Sequence, residues 1–146
     1  MTPDGISTAE WARVFELAAE IVNATAADDD ELDLSLRTQL LEELDRLELH
    51  HGRLASLLAT RADYLDDEGE AIALLEEAYA IALGGGDVDN CLLVADSLAT
   101  RYIEDRRDRE QGARWLEACA HALRLTGTAS DIEQLERLEN QLRLLD

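Results

Sequence analysis

Leu58-Ala59-Thr60-Arg61 returns as Leu98-Ala99-Thr100-Arg101, and Ala78-Tyr79-Ala80-Ile81-Ala82-Leu83 is answered at the same offset of 40 residues by Ala118-Cys119-Ala120-His121-Ala122-Leu123. Glu70 and Glu77 are likewise matched by Glu110 and Glu117. Self-similarity at a fixed period of roughly 20–50 residues is the mark of stacked supersecondary units, each too small to bury its apolar face alone. Apolar residues recur at helical spacing inside both copies, so the units are helical.

The rest of the chain agrees with that class. Of its 146 residues 47% are hydrophobic but only 4% aromatic, so the core must be built from Leu, Ala, Ile and Val, as in packed helices. Pro3 is the only proline, and no proline-rich linker divides the chain. The expectation is an all-α single domain over 1–146: antiparallel helical hairpins stacked as a short solenoid of about seven helices. Its expected parts are a divergent hairpin (1–52), repeat units 53–86 and 87–127, and a capping helix (128–146).

Helix one is expected over about 7–26, started by Ser7 or Thr8 and carrying Trp11, Val14, Phe15, Ala18, Ala19 and Val22 as its core stripe. The acidic run Asp28-Asp29-Asp30-Glu31 breaks that pattern and caps helix two, because carboxylates satisfy the free N–H groups and positive dipole end of a helix start. Leu36, Leu40, Leu44 and Leu47, joined by Leu41, carry helix two to about His50, and Gly52 stops it. Helix three is expected over about 53–66. Helix four, about 69–83, is apolar around most of its circumference and belongs inside the stack. Gly84-Gly85-Gly86 ends it, and Asp87 or Asp89 starts a helix five that runs to about Asp105. Helix six should follow Asp108 and continue to about Leu125. After the break at Thr126-Gly127-Thr128, Ser130 should cap a last helix whose single stripe, Ile132, Leu135, Leu138 and Leu142, suits a closing element.

Charge restricts the partners. The chain has 33 acidic and 13 basic side chains, a net charge of −20, and every basic one is arginine. Residues 1–100 hold 23 acids and 5 arginines, whereas residues 101–146 hold 10 and 8, so nearly all of the excess lies in the N-terminal two thirds. Such a field disfavours nucleic acid backbones and anionic membranes and favours a basic protein. The absence of lysine excludes a P-loop lysine, a Schiff-base lysine and a lysine general base. Arginine in place of lysine, with abundant Ala and Leu, suggests a GC-rich bacterial genome. Cys91 and Cys119 lack CxxC spacing and are expected to be reduced and buried. Asp4 and Glu10 stand where a secretory signal would be basic, and no apolar run is long enough to cross a bilayer, so the expected location is cytoplasmic.

These residues resemble tetratricopeptide repeats (TPR). Leu58 and Ala59, and then Leu98, Ala99 and Tyr102, look like the first-helix pattern of that family. Ala71, Leu75 and Ala78, and then Trp115 and Ala118, look like the second-helix pattern. Ala62 stands where a large aromatic is usual, Gln111 where a small residue is expected, and a period of 40 exceeds the family's usual 34. The resemblance covers about 53–146 well and the rest poorly. It implies a concave surface lined by first helices that binds peptides or proteins, presenting Arg53, Ser56, Thr60, Asp63 and Tyr64 from one unit and Asp96, Thr100, Ile103 and Glu104 from the next.

Motifs that could carry chemistry are sparse. Glu48 and His51 have Glu-x-x-His spacing and Glu117 with His121 is one residue wider, a poor match to the paired motifs of di-iron bundles. The acidic loops lack the alternating ligands and central glycine of an EF-hand. Gly84-Gly85-Gly86 precedes acids and would repel phosphate. The arginines at 101, 106, 107, 109 and 114 are interleaved with Asp105, Asp108 and Glu110, which favours local pairing. No cofactor, metal or catalytic residue is therefore expected. The sequence predicts a non-catalytic protein-binding protein, most concretely a bacterial immunity or inhibitor protein that neutralises a toxin or other basic partner. Its expected contacts are Asp28, Asp29, Asp30, Asp63, Asp66, Asp67 and Glu68. The alternative is a TPR-like adaptor or secretion chaperone reading peptides through Thr60, Tyr64, Asp96 and Thr100. The oligomeric state stays open.

Overall fold

The computed structural model describes residues 1–126 and 129–145, and among these the chain is all-α, without strands. Seven α-helices follow in order: α1 Thr8–Ala26, α2 Asp30–His51, α3 Ala55–Asp63, α4 Glu68–Gly84, α5 Val88–Thr100, α6 Arg109–Thr126 and α7 Ala129–Arg143. A π-helical turn, Arg101–Asp105, extends α5. Consecutive helices pack on one another throughout, as in a helical bundle or solenoid, with α5 also touching α3 and α7.

Most helix starts use acids or serine as the sequence suggests. Ser7 and Glu10 form a reciprocal capping box at α1. Asp29 accepts from the Leu32 amide (3.1 Å), Asp67 from Glu70 (2.9 Å), Asp87 from Asn90 (3.1 Å) and Asp108 from Gln111 (3.1 Å). Helix α3 differs. It starts two residues later and ends three earlier than expected, with Leu54 at the cap position and no side-chain cap of its own. The acceptor comes from afar: Asp4 takes the Ser56 amide at 2.8 Å and the Ser56 hydroxyl at 2.7 Å, which ties the N-terminal segment to α3. Ser130 lies within α7 rather than capping it. Gly127 and Thr128 of the expected break lie outside the described residues.

Two apolar clusters make the core. The larger joins α3 to α7 around Leu58, Leu75, Val94, Leu98, Ile103 and Leu138. The smaller fills the α1–α2 hairpin with Val14, Leu17, Ile21 and Ala24 facing Leu36, Leu40, Leu44 and Leu47. Leu57 of α3 belongs to the hairpin cluster while its neighbour Leu58 belongs to the larger one, so α3 is the seam between them. The positions related by the offset of 40 share burial: Leu58 and Leu98 are both fully buried, as are Ala62 and Tyr102 nearly so. They part company at residue 101, where the second copy enters the π turn and the first soon ends.

Cys91 and Cys119 are free and buried. Burial raises both thiols, pushing Cys119 up to about 12, with the Asp96 carboxylate adding to it. Since the thiolate is the nucleophile, native protein at neutral pH should resist iodoacetamide, and both cysteines should alkylate in urea. Rapid labelling of the native chain, read by mass spectrometry, would contradict this packing.

Candidate functional site

Helix α1 carries two apolar stripes, and the buried one coincides with the expected stripe only at Val14, with Trp11 and Ala18 packed at its edge. Leu36, Leu40, Leu44 and Leu47 of α2 take up Val14, Leu17, Ile21 and Ala24. Phe15 and Val22, expected in the core, are 63% and 67% exposed, and Ala19 is exposed as well. Trp11 and Ala18 are half-buried between the two stripes. Trp11, Phe15, Ala18, Val22 and Ala26 are spaced by three or four residues, so they run as one strip along the outer flank of α1. Trp11 and Phe15 meet edge to face with centroids 6.3 Å apart.

This strip borders a hollow of about 430 Å³ between α1, α2 and the end of α3, lined by Ala18, Val22 and Ala26, Arg37, Asp63 and Tyr64 among others. Tyr64 follows the last residue of α3 and is half-buried, with the Arg37 guanidinium 5.7 Å from its ring centre. Burial first, and then the Asp63 charge, raise the Tyr64 phenol, so it stays a neutral hydrogen-bond donor. Arg37 itself is held by Asp33 at 2.9 Å. The hollow is thus apolar along α1 and polar at its floor.

The expected site residues divide into three groups. Asp28, Asp29 and Asp30 form the α1–α2 turn next to Ala26; Asp28 takes a left-handed backbone with φ +55° there. Asp63, Tyr64, Asp66, Asp67 and Glu68 form the α3–α4 turn. Of these two groups only Asp63 and Tyr64 line the hollow; the remaining residues follow the lining residues Ala26 and Tyr64 by two to four positions in the chain. Within them, Asp29 and Asp67 are occupied as helix caps, and Glu68 binds Arg101 at 2.8 Å, with Asp63 3.7 Å from the same guanidinium. Asp28, Asp30 and Asp66 are exposed, and their carboxylates make no hydrogen bond or ion pair among the described residues. The third group is separate. Asp96 accepts from Gln134 of α7 at 3.1 Å in a different hollow, between α5, α6 and α7. Thr60 spends its hydroxyl on the Ser56 carbonyl at 2.8 Å, and Thr100 is half-buried next to Arg101. Asp96 therefore lines a different hollow from Asp63 and Tyr64.

The Glu48/His51 pairing does not form. Glu48 binds Arg53 at 3.0 Å, while His51 turns to Glu10 across the hairpin at 2.6 Å. Glu117 and His121 are both exposed. The arginine group does not pair with Asp105, Asp108 or Glu110 among the described residues: Arg101 reaches back to Glu68, and Asp108 is used as a helix cap. Arg114 stacks over Trp115 at 4.8 Å, and Arg109 donates to the Leu145 carbonyl at 2.8 Å and less closely to those of Leu142 and Arg143, closing the end of α7.

No family model, no curated protein and no solved structure matches the chain. Among the described residues no helix is long and apolar enough to cross a membrane.

Proposed function

We propose that this chain is a non-catalytic binding protein that captures a basic partner protein on the flank of α1 and the two acidic turns beside it. One observation carries the reading: the exposed apolar strip that holds Phe15 and Val22 runs into a hollow lined by Val22, Ala26, Asp63 and Tyr64, and the turns that follow Ala26 and Tyr64 carry exposed carboxylates that the fold does not consume, Asp28, Asp30 and Asp66. Apolar area supplies affinity, and the surrounding charge steers and selects a cationic surface. An immunity or inhibitor protein that covers a toxin's cationic site, working in a bacterial cytoplasm, is the concrete form that suits a chain with this charge and no lysine. The half-buried Tyr64 in the floor of the hollow favours a second reading, a TPR-like adaptor that takes an extended peptide.

The test begins with affinity capture from native cells and identification of the bound protein, followed by titration of the purified pair. Reversing Asp28, Asp30 and Asp66 together to Arg should weaken binding at least about tenfold, or 1.4 kcal/mol, and raised salt should weaken the parent complex in the same direction. Phe15→Asp should do likewise without changing the far-ultraviolet dichroism. Binding indifferent to all of these changes would remove the proposal. Loss confined to Tyr64→Ala, with an extended peptide sufficient for binding, would favour the adaptor.

A further inference from the structure

We propose that Glu10, His50 and His51 form a site for one divalent transition-metal ion, of the zinc class, that clamps the start of α1 to the end of α2. The reading is independent of the partner-binding surface. Glu10 stands in the first turn of α1, and His50-His51 are the last two residues of α2, so the three meet at the end of the hairpin opposite its Asp28–Asp29 turn. One ligand atom from each lies within 4.8 Å of the other two.

The carboxylate is already oriented. Its Oε1 accepts from the Ser7 amide at 3.3 Å and the Ser7 hydroxyl at 2.9 Å, leaving Oε2 directed at His51 Nε2, 2.6 Å away. An ordinary carboxylate is anionic at neutral pH and needs no further help to serve as a ligand. The His50 ring stands edge to face against that of His51, centroids 4.7 Å apart. Two imidazoles and a carboxylate suit Zn²⁺, Ni²⁺ or Cu²⁺, whereas Ca²⁺ and Mg²⁺ prefer oxygen ligands alone. Bonds of about 2.0–2.2 Å to each donor would replace the hydrogen bond, opening the Glu10–His51 pair to roughly 3 Å by side-chain rotation. The carbonyl end of α2 also favours a cation. The hollow beside His50 leaves room for water on the remaining coordination positions. Arg46 lines that hollow too, but Glu43 holds its guanidinium.

Tag-free full-length protein titrated with zinc chloride by calorimetry should bind one ion per chain, and its thermal midpoint should rise with zinc and fall back on adding EDTA. Amides of α1 and α2 should gain hydrogen-exchange protection. His50→Ala should weaken zinc binding at least about tenfold and keep the metal-free fold, because the exposed His50 side chain makes no hydrogen bond among the described residues and loses only its ring contact with His51. Glu10→Gln retains an oxygen for Ser7 but loses the charge, and should weaken zinc comparably; His121→Ala should not. Absence of saturable zinc binding, or zinc held as tightly by His50→Ala and Glu10→Gln as by the parent, would overturn the site and leave a simple histidine–carboxylate hydrogen bond closing the hairpin.

Discussion

Leu98→Ala should lower the unfolding free energy by about 2–5 kcal/mol, out of a total that for a domain of this size is about 5–15 kcal/mol. Leu98 is fully buried in α5, the helix that packs against α3, α4, α6 and α7, so the cavity would open where most elements meet. Leu40→Ala offers the contrast. It is equally buried, but in the α1–α2 cluster, which shares with the rest only Leu57 and the flanking Leu54 and Tyr64. Since α1 packs on α2, and α2 otherwise chiefly on α3, damage should stay local. Urea melts should show Leu98→Ala losing stability as a whole. Hydrogen exchange should show Leu40→Ala losing protection first in α1 and α2, with α4 to α6 retaining theirs. Equal loss of protection along the whole chain in Leu40→Ala would mean that the seam at α3 transmits more than its few side chains suggest.

That seam also separates what the sequence conveys from what it hides. Leu36, Leu40, Leu44 and Leu47 form the one sustained apolar stripe on α2, and reading them as core is sound because Leu32, Leu34 and Leu49 are scattered and stay exposed. Helix α1 offers two stripes of similar length, and its own residues do not say which one α2 will choose. The choice is made by packing, where Leu17 and Ile21 fill space between the α2 leucines and leave Phe15 and Val22 outside. The candidate docking strip was therefore in view as a pattern but assigned to the wrong side. Caps drawn from neighbouring residues, such as Asp29 and Asp67, are legible because the acceptor precedes its donor by three positions. The cap of α3 is not, since Asp4 is 52 residues from Ser56. For the same reason, His51 finds Glu10 rather than the local Glu48, because a contact across 41 residues leaves no trace in spacing.

The π turn at Arg101–Asp105 leads to the second large effect, at Gly112. Replacing this glycine by valine should cost about 3 kcal/mol, the upper end of the usual penalty for overpacking. Gly112 is buried in α6 where it meets the π turn and α7. A Cβ there would lie 2.7 Å from Ile103 Cγ1 and 3.3 Å from Leu142 Cδ1. Ile103 is fully buried and branched at Cβ, so it has no free rotamer to retreat to. Alanine at this position sets two effects against each other: a gain of about 1 kcal/mol in helix propensity over glycine and an overpacking loss of about 1–3 kcal/mol. Since the contact to Ile103 is far inside van der Waals distance, the loss should prevail, and Gly112→Ala should melt below the parent. At Gly84, where a Cβ would meet nothing within 4 Å, the same substitution should leave stability unchanged or slightly raised. Sequence reasoning looks for a small residue at Gln111; the close approach falls one position later, because the π turn delivers Ile103 onto α6 at Gly112. A parent-like melting temperature for Gly112→Ala, measured beside Gly84→Ala, would show that Ile103 is not seated there, and that the joint between α5, α6 and α7 is looser than the 2.7 Å approach requires.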